Sequence, residues 1–249
     1  MLFHKFHFAL VLMMASLFPH ALFAAEPDWS IYSDMLHQYV KPETHHDVTL
    51  NWVNYTGLKT DPRWEQVVQA VENFSPERLN NREEKLAFYI NAYNIFSLKK
   101  VIDNWPVESI KDVGNFFRPV WKRDAGSIGG ERVSLDHLEH EILRPMGEPR
   151  IHFAIVCASI SCPDLLREPY RAAQLDLQLK EQVRGFLDNE KKGLSLEGSK
   201  LKVSKIFSWF KEDFSGGNGV VPFLQKYKKL PQSLSLKADL PYDWRVNGN

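Results

Sequence analysis

The sequence predicts an α+β fold: a helix-rich single domain packed around a small, mostly antiparallel sheet. Three observations carry this. Apolar residues recur at helical spacing over several segments, strand-like alternation is confined to short stretches beside glycines, and the regular βα alternation of a parallel sheet is absent. The chain has 249 residues, and its 44% hydrophobic content with seven tryptophans supplies the core of one large domain.

Residues 1–24, MLFHKFHFALVLMMASLFPHALFA, have the order of a secretory signal peptide. His4 and Lys5 open it, an apolar stretch runs from Phe8 to Phe18, and small residues follow at Ala21, Ala24 and Ala25. This predicts cleavage near Ala24 or Ala25, a periplasmic or secreted mature protein, and one globular domain over residues 25–249. No later apolar run is long enough to span a bilayer. The 31 basic and 31 acidic residues balance, and removal of Lys5 leaves a net charge of −1. Such a chain lacks the basic footprint of a nucleic-acid binder.

Trp29–Tyr39 reads as a short helix stopped by Pro42, and Asp47–Tyr55 as extended, with Val48, Leu50 and Trp52 alternating. Pro62–Phe74 has helical spacing at Trp64, Val67, Val68 and Val71, closed by Ser75-Pro76. Asn81 is the expected N-cap of a long helix, Arg82–Asp103, ended by Pro106. Residues 107–133 are irregular: Phe116, Phe117, Val120 and Trp121 supply core, and Gly126, Gly129 and Gly130 mark a turn between short strands. Ser134 caps a helix through Leu143, closed by Pro145. Ile151–Cys157, apolar on both faces apart from His152, predicts a central strand covered on both sides. A helix over Ala172–Leu187, a hairpin near Leu194–Val203, a helix Ile206–Phe214 capped by Ser204, and a helix Val221–Tyr227 complete the chain.

Chemistry concentrates in three places. In the long helix, Asn91 and Asn94 are surrounded by apolar residues and share a face; buried amides need partners, so they tie the helix to loop backbone or polarise a carbonyl. In SLDHLEHEILRP, residues 134–145, Glu139 falls within the apolar arc and His140 at its border. His137 and His140 match neither zinc-protease spacing, so no metal site is predicted. The only cysteines, Cys157 and Cys162, follow the apolar run. Two cysteines in an exported chain favour a disulfide, which over so short a loop contributes roughly 2 kcal/mol. The competing reading is a thiol nucleophile at Cys157 with an imidazole brought from elsewhere, His140 being the candidate. No P-loop or Rossmann glycine pattern is present, and no cofactor is expected.

Five blocks together carry a family resemblance: AFYINAYN (87–94), SLDHLEHEILR (134–144), RIHFAIVCASISCP (150–163), VSKIFSWFKEDF (203–214) and LPYDWRVN (240–247). In these the chain resembles the domain-of-unknown-function 547 family. The resemblance singles out Asn91, Asn94, Glu139, His140 and Cys157. The reading that unites them is a cysteine-dependent hydrolase or acyltransferase acting on a small-molecule or peptide substrate. Cys157 is then the nucleophile, His140 the base, Glu139 its orienting carboxylate, and Asn91 or Asn94 the carbonyl polariser. The alternative is a non-catalytic binding domain stapled by Cys157–Cys162.

Overall fold

The computed structural model describes residues 26–115, 118–215, 219–231 and 235–249. The predicted signal peptide and the predicted core positions Phe116 and Phe117 lie outside these.

The described chain opens with α1 (Ser30–Tyr39) and an antiparallel ribbon, β1 (Val40–His45) with β2 (Val48–Val53). α2 (Tyr55–Thr60) and α3 (Arg63–Glu72) follow, and both pack on α4 (Arg82–Asn104). Asn81 caps α4 through its side chain, which accepts the Glu84 N–H at 2.9 Å. Leu86, Phe88, Ile90, Tyr93, Ile95 and Phe96 are all buried, so α4 is apolar on every side and must be wrapped. A second ribbon, β3 (Asp124–Ile128) with β4 (Glu131–Ser134), leads into α5 (Leu135–His137), capped by Ser134. α5 continues without a break into a π-helical turn, Leu138–Leu143, that lies against α4.

The predicted central strand is absent. Pro149–Phe153 form a 3-10 turn, and residues 154–157 are irregular. The apolar run correctly signals burial on both sides, but its backbone bonds within its own turn and to the side-chain amides of Asn94 and Gln182 rather than to a neighbouring strand. Double burial alone does not distinguish the two. The sheet content is therefore divided among three small sheets. The third joins β5 (Leu194–Glu197) and β6 (Lys200–Val203) antiparallel, with β7 (Ser235–Lys237) parallel to β6.

α6 (Leu175–Asp188), β5, β6 and the C-terminal helices enclose a second apolar cluster around Phe153. The Phe153 ring lies within 5.8 Å of Phe186, Phe207, Phe214 and Phe223. The helix predicted over Ile206–Phe214 is two pieces, α7 (Ile206–Trp209) and α8 (Lys211–Ser215). The break falls at Phe210, whose ring stacks on His152 at 4.1 Å. α9 (Val220–Gln225) closes the cluster. Among the described residues no helix is long and apolar enough to cross a membrane.

Asn91 and Asn94 tie α4 to loops. Asn91 donates to Tyr170 O and accepts from Tyr170 N–H, both at 2.8 Å. Asn94 does the same across Ala154 O and Val156 N–H, both at 2.9 Å. Removing one side chain leaves two buried backbone groups without partners, at roughly 1–3 kcal/mol each. Asn94→Ala should therefore lower the unfolding free energy by about 3 kcal/mol in urea titration. Asn104→Ala, exposed on the same helix, should stay within about 0.5 kcal/mol. Equal effects would refute the tie.

Candidate active site

The Asn94 tie ends at Val156, one residue before Cys157. The next residue, Ala158, has φ 56°, in the left-handed region that costs an alanine about 1 kcal/mol or more. The C-terminal segment holds this turn in place. Asn247 N–H donates to Ala158 O at 3.2 Å, Ile160 N–H to Arg245 O at 2.9 Å, and Asp243 N–H to Ser161 Oγ at 2.8 Å. Beneath it, the buried Lys192 ammonium donates to Cys162 O at 3.0 Å and Asp164 Oδ1 at 2.7 Å. The backbone of the loop is thereby fixed from both sides before any side-chain chemistry is considered.

The turn aims Cys157 into a cavity of about 190 Å³. Glu139, His140, His152 and Cys162 share its lining with aromatic rings, among them Tyr93, Trp209 and Tyr242. The structure thus brings together Cys157, Cys162, Glu139 and His140. It does not bring Asn91 or Asn94 to the cavity, because both amides are engaged with backbone. Neither is placed to polarise a substrate carbonyl.

Cys157 and Cys162 are free thiols, and the staple is not formed. Instead Cys157 N–H donates to Cys162 Sγ at 2.8 Å. Cys157 Sγ lies 3.1 Å from Ser159 Oγ and 3.3 Å from Tyr242 Oη. The hydrogen bond from the Cys162 thiol, opposed by burial and aided by Ser159 and Tyr242, pulls the Cys157 thiol down to about 7. Burial, and the Cys157 partner itself, push the Cys162 thiol well up, so it remains the donor. A substantial thiolate fraction at neutral pH follows for Cys157 alone.

His140 makes no hydrogen bond to Cys157. Its Nδ1 lies 2.7 Å from an Arg144 guanidinium nitrogen, which can only donate. Nδ1 therefore accepts, and the ring proton of the neutral imidazole sits on Nε2. Arg144 is itself fixed by a two-point ion pair with Asp213, at 2.6 and 2.9 Å. Asp213 Oδ2 also accepts from His152 Nε2 at 2.7 Å. Burial lowers His152 to about 4, so it stays neutral and serves as a ring-shaped strut beneath Phe210. In this arrangement His140 is a hydrogen-bond donor rather than the base expected from sequence.

Glu139 is buried, with Tyr93 donating to its Oε2 at 3.3 Å and no cation in contact. Its Oε1 lies 4.0 Å from His152 Nδ1, beyond hydrogen-bond range. Burial raises its carboxyl from the usual 4.5 to about 7. It does not orient His140; it is a carboxyl poised to gain or lose a proton near neutrality. Among the described residues no three His, Cys, Asp or Glu side chains converge as metal ligands.

Sequence reasoning missed Arg144, Asp213, Ser159 and Tyr242. All four lie in blocks that carried the family resemblance, but the apposition of Arg144, Asp213 and Tyr242 depends on the α7–α8 break and on the return of the C-terminus, neither visible in spacing.

The raised Glu139 carboxyl has a consequence for stability. The folded state holds a proton there that the unfolded chain releases near pH 4.5, so the contribution is present below that pH and is lost as pH rises through 7. The loss should reach on the order of 3 kcal/mol. Glu139→Gln should therefore gain stability relative to the parent between pH 5 and pH 8 in paired denaturant titrations. Parallel pH profiles for the two proteins would contradict the assignment.

No curated protein and no solved structure matches the chain. Residues 76–187 match the family described as protein of unknown function, DUF547, a segment that contains Asn91, Asn94, Glu139, His140, Arg144, His152 and both cysteines but ends before Asp213 and Tyr242. The match lies over the helix, the π-turn and the cysteine loop of the site, and over these residues, a little under half of its length, the chain is similar to the DUF547 family.

Proposed function

We propose that the protein is a thiol-dependent acyl hydrolase or acyltransferase with Cys157 as its nucleophile. The observation that carries this is a half-buried thiol in a cavity, held toward its anion by three hydrogen-bonding neighbours and facing a carboxyl that titrates near neutrality. A structural cysteine has no use for these features together.

In the first half-reaction the Cys157 thiolate attacks the substrate carbonyl carbon, a C–S bond forms, and the carbonyl π pair moves to oxygen. His140 Nε2–H donates to that oxygen. Collapse breaks the bond to the leaving nitrogen or oxygen, which takes the proton of the Glu139 carboxyl. In the second, water or an acceptor amine gives a proton to the Glu139 carboxylate and attacks the thioester. Sulfur then leaves as the thiolate, and the site is restored. The assignment gives Glu139 the acid–base role and His140 the donor role, with Arg144 positioning His140. The leader-like residues 1–24 support action outside the cytoplasm, on a small-molecule or peptide substrate.

Incubation with an activated thioester, followed by intact mass and peptide mapping, should give a transient acyl adduct on Cys157. Cys157→Ala should abolish the adduct and lower turnover at least roughly a thousandfold. His140→Gln should lower kcat by about 10²–10³, and Glu139→Gln by about 10²–10⁴. Adduct and turnover surviving Cys157→Ala would overturn the proposal, and binding without turnover in every variant would leave a binding domain in its place.

A further inference from the structure

The reaction outlined above uses one group of the aromatic wall, the Tyr242 hydroxyl. The rings around it are not needed for acyl transfer. Trp209 is 46% exposed, although it is one of the largest apolar side chains of the protein. It stacks on Trp244 with ring centroids 5.7 Å apart, and Tyr242 packs against both, at 4.9 and 4.5 Å. Trp121 stands at 87° to Trp244, with centroids 6.0 Å apart, so that faces and edges of indole rings meet in a corner. All four line the cavity that contains Cys157.

The ionisable side chains that line that corner are mainly acidic, while two cations, Lys111 and Arg144, pack on two of its rings, Trp244 and Phe210. Asp136 and Glu139 supply carboxyls to the lining and Cys157 a thiolate, while no lysine or arginine lines it. Aromatic faces carry the negative part of the ring quadrupole, which adds to the same field. An anionic ligand is repelled by Asp136, the Cys157 thiolate and the ring faces, whereas a cation gains from these and finds in Glu139 a carboxyl that ionises near neutrality. The chain already uses one of these rings in this way: the Lys111 ammonium sits 3.5 Å from the centroid of Trp244. Rings together with carboxylates suit a weakly hydrated alkylammonium, which loses little water on entering an aromatic pocket. A saccharide would also stack on an exposed tryptophan and donate hydroxyls to Asp136 and Glu139, but being uncharged it gains no charge–charge attraction from them.

We infer that the cavity takes a substrate carrying an alkylammonium group, lodged against Trp209 and Tyr242 beside the two carboxyls, with its acyl carbon within reach of Cys157. This rests on the thiol-dependent reading for the position of the acyl carbon, while the ammonium subsite stands on the rings and carboxyls.

The test is calorimetric titration of the full chain carrying Cys157→Ser, with choline and with 3,3-dimethyl-1-butanol, which replaces the ammonium nitrogen by carbon. Choline should bind at least about tenfold more tightly than the neutral alcohol. Trp209→Ala, an exposed position, should weaken choline by about fivefold and leave the alcohol nearly unchanged. Asp136→Asn should weaken choline in the same selective way. Equal binding of the two probes, or binding of neither, would overturn the inference. Either result together with acylation of Cys157 in the unmodified protein would remove the substrate class and keep the nucleophile. Choline-selective binding with an inert Cys157 would keep the ammonium subsite and remove the nucleophile.

Discussion

Everything at the site depends on the burial of α4. On a helix covered on all sides, a buried amide is costly unless both of its ends are hydrogen-bonded. Asn91 and Asn94 meet that demand by binding backbone of two separate loops, at Tyr170 and at Ala154 and Val156. The core helix thus fixes the backbone one residue before Cys157, and the C-terminal segment fixes it again just after. Between the two anchors the chain holds a left-handed alanine that local preference disfavours. Strain of this kind persists only where the surroundings over-determine the backbone, and it aims the thiol into the cavity.

The electrostatics of the site follow from who is paired with whom. Arg144 and Asp213 neutralise one another, and between them they set the state of both histidines: His140 accepts from Arg144, and His152 donates to Asp213. What remains facing the cavity is a thiol favoured as its anion and a carboxyl favoured in its neutral form. The two ionisable groups are displaced in opposite directions from their ordinary values, and the proposed reaction uses that divergence, with Cys157 as nucleophile and Glu139 as acid.

Much of this was legible in the sequence, and the limits have identifiable causes. The long helix and its Asn81 cap, the two glycine-marked ribbons and the Ser134 cap follow from short-range rules, and the structure contains each of them. The buried Asn pair and the buried Glu139 could be found because a polar residue inside an apolar arc is conspicuous. The strand expected over Ile151–Cys157 failed because double burial was read as β structure, whereas the backbone there bonds within its own turn and to the Asn94 and Gln182 side chains. The base role for His140 failed because nothing in the spacing shows that Arg144, one turn further on, would claim its Nδ1. The partnership of Arg144 with Asp213 spans 69 residues and runs through a helix break that no local pattern announces.

The central claim is that the neighbours of the Cys157 sulfur, chiefly the Cys162 thiol, make it acidic, and that His140 does not. Ultraviolet absorbance of the thiolate, followed against pH, measures this directly. The parent protein should show a first thiol midpoint near 7. Cys162→Ala should move it up toward the ordinary value of 9, and His140→Gln should leave it in place. A midpoint that follows His140 and ignores Cys162 would contradict the account and restore a thiolate–imidazolium pair.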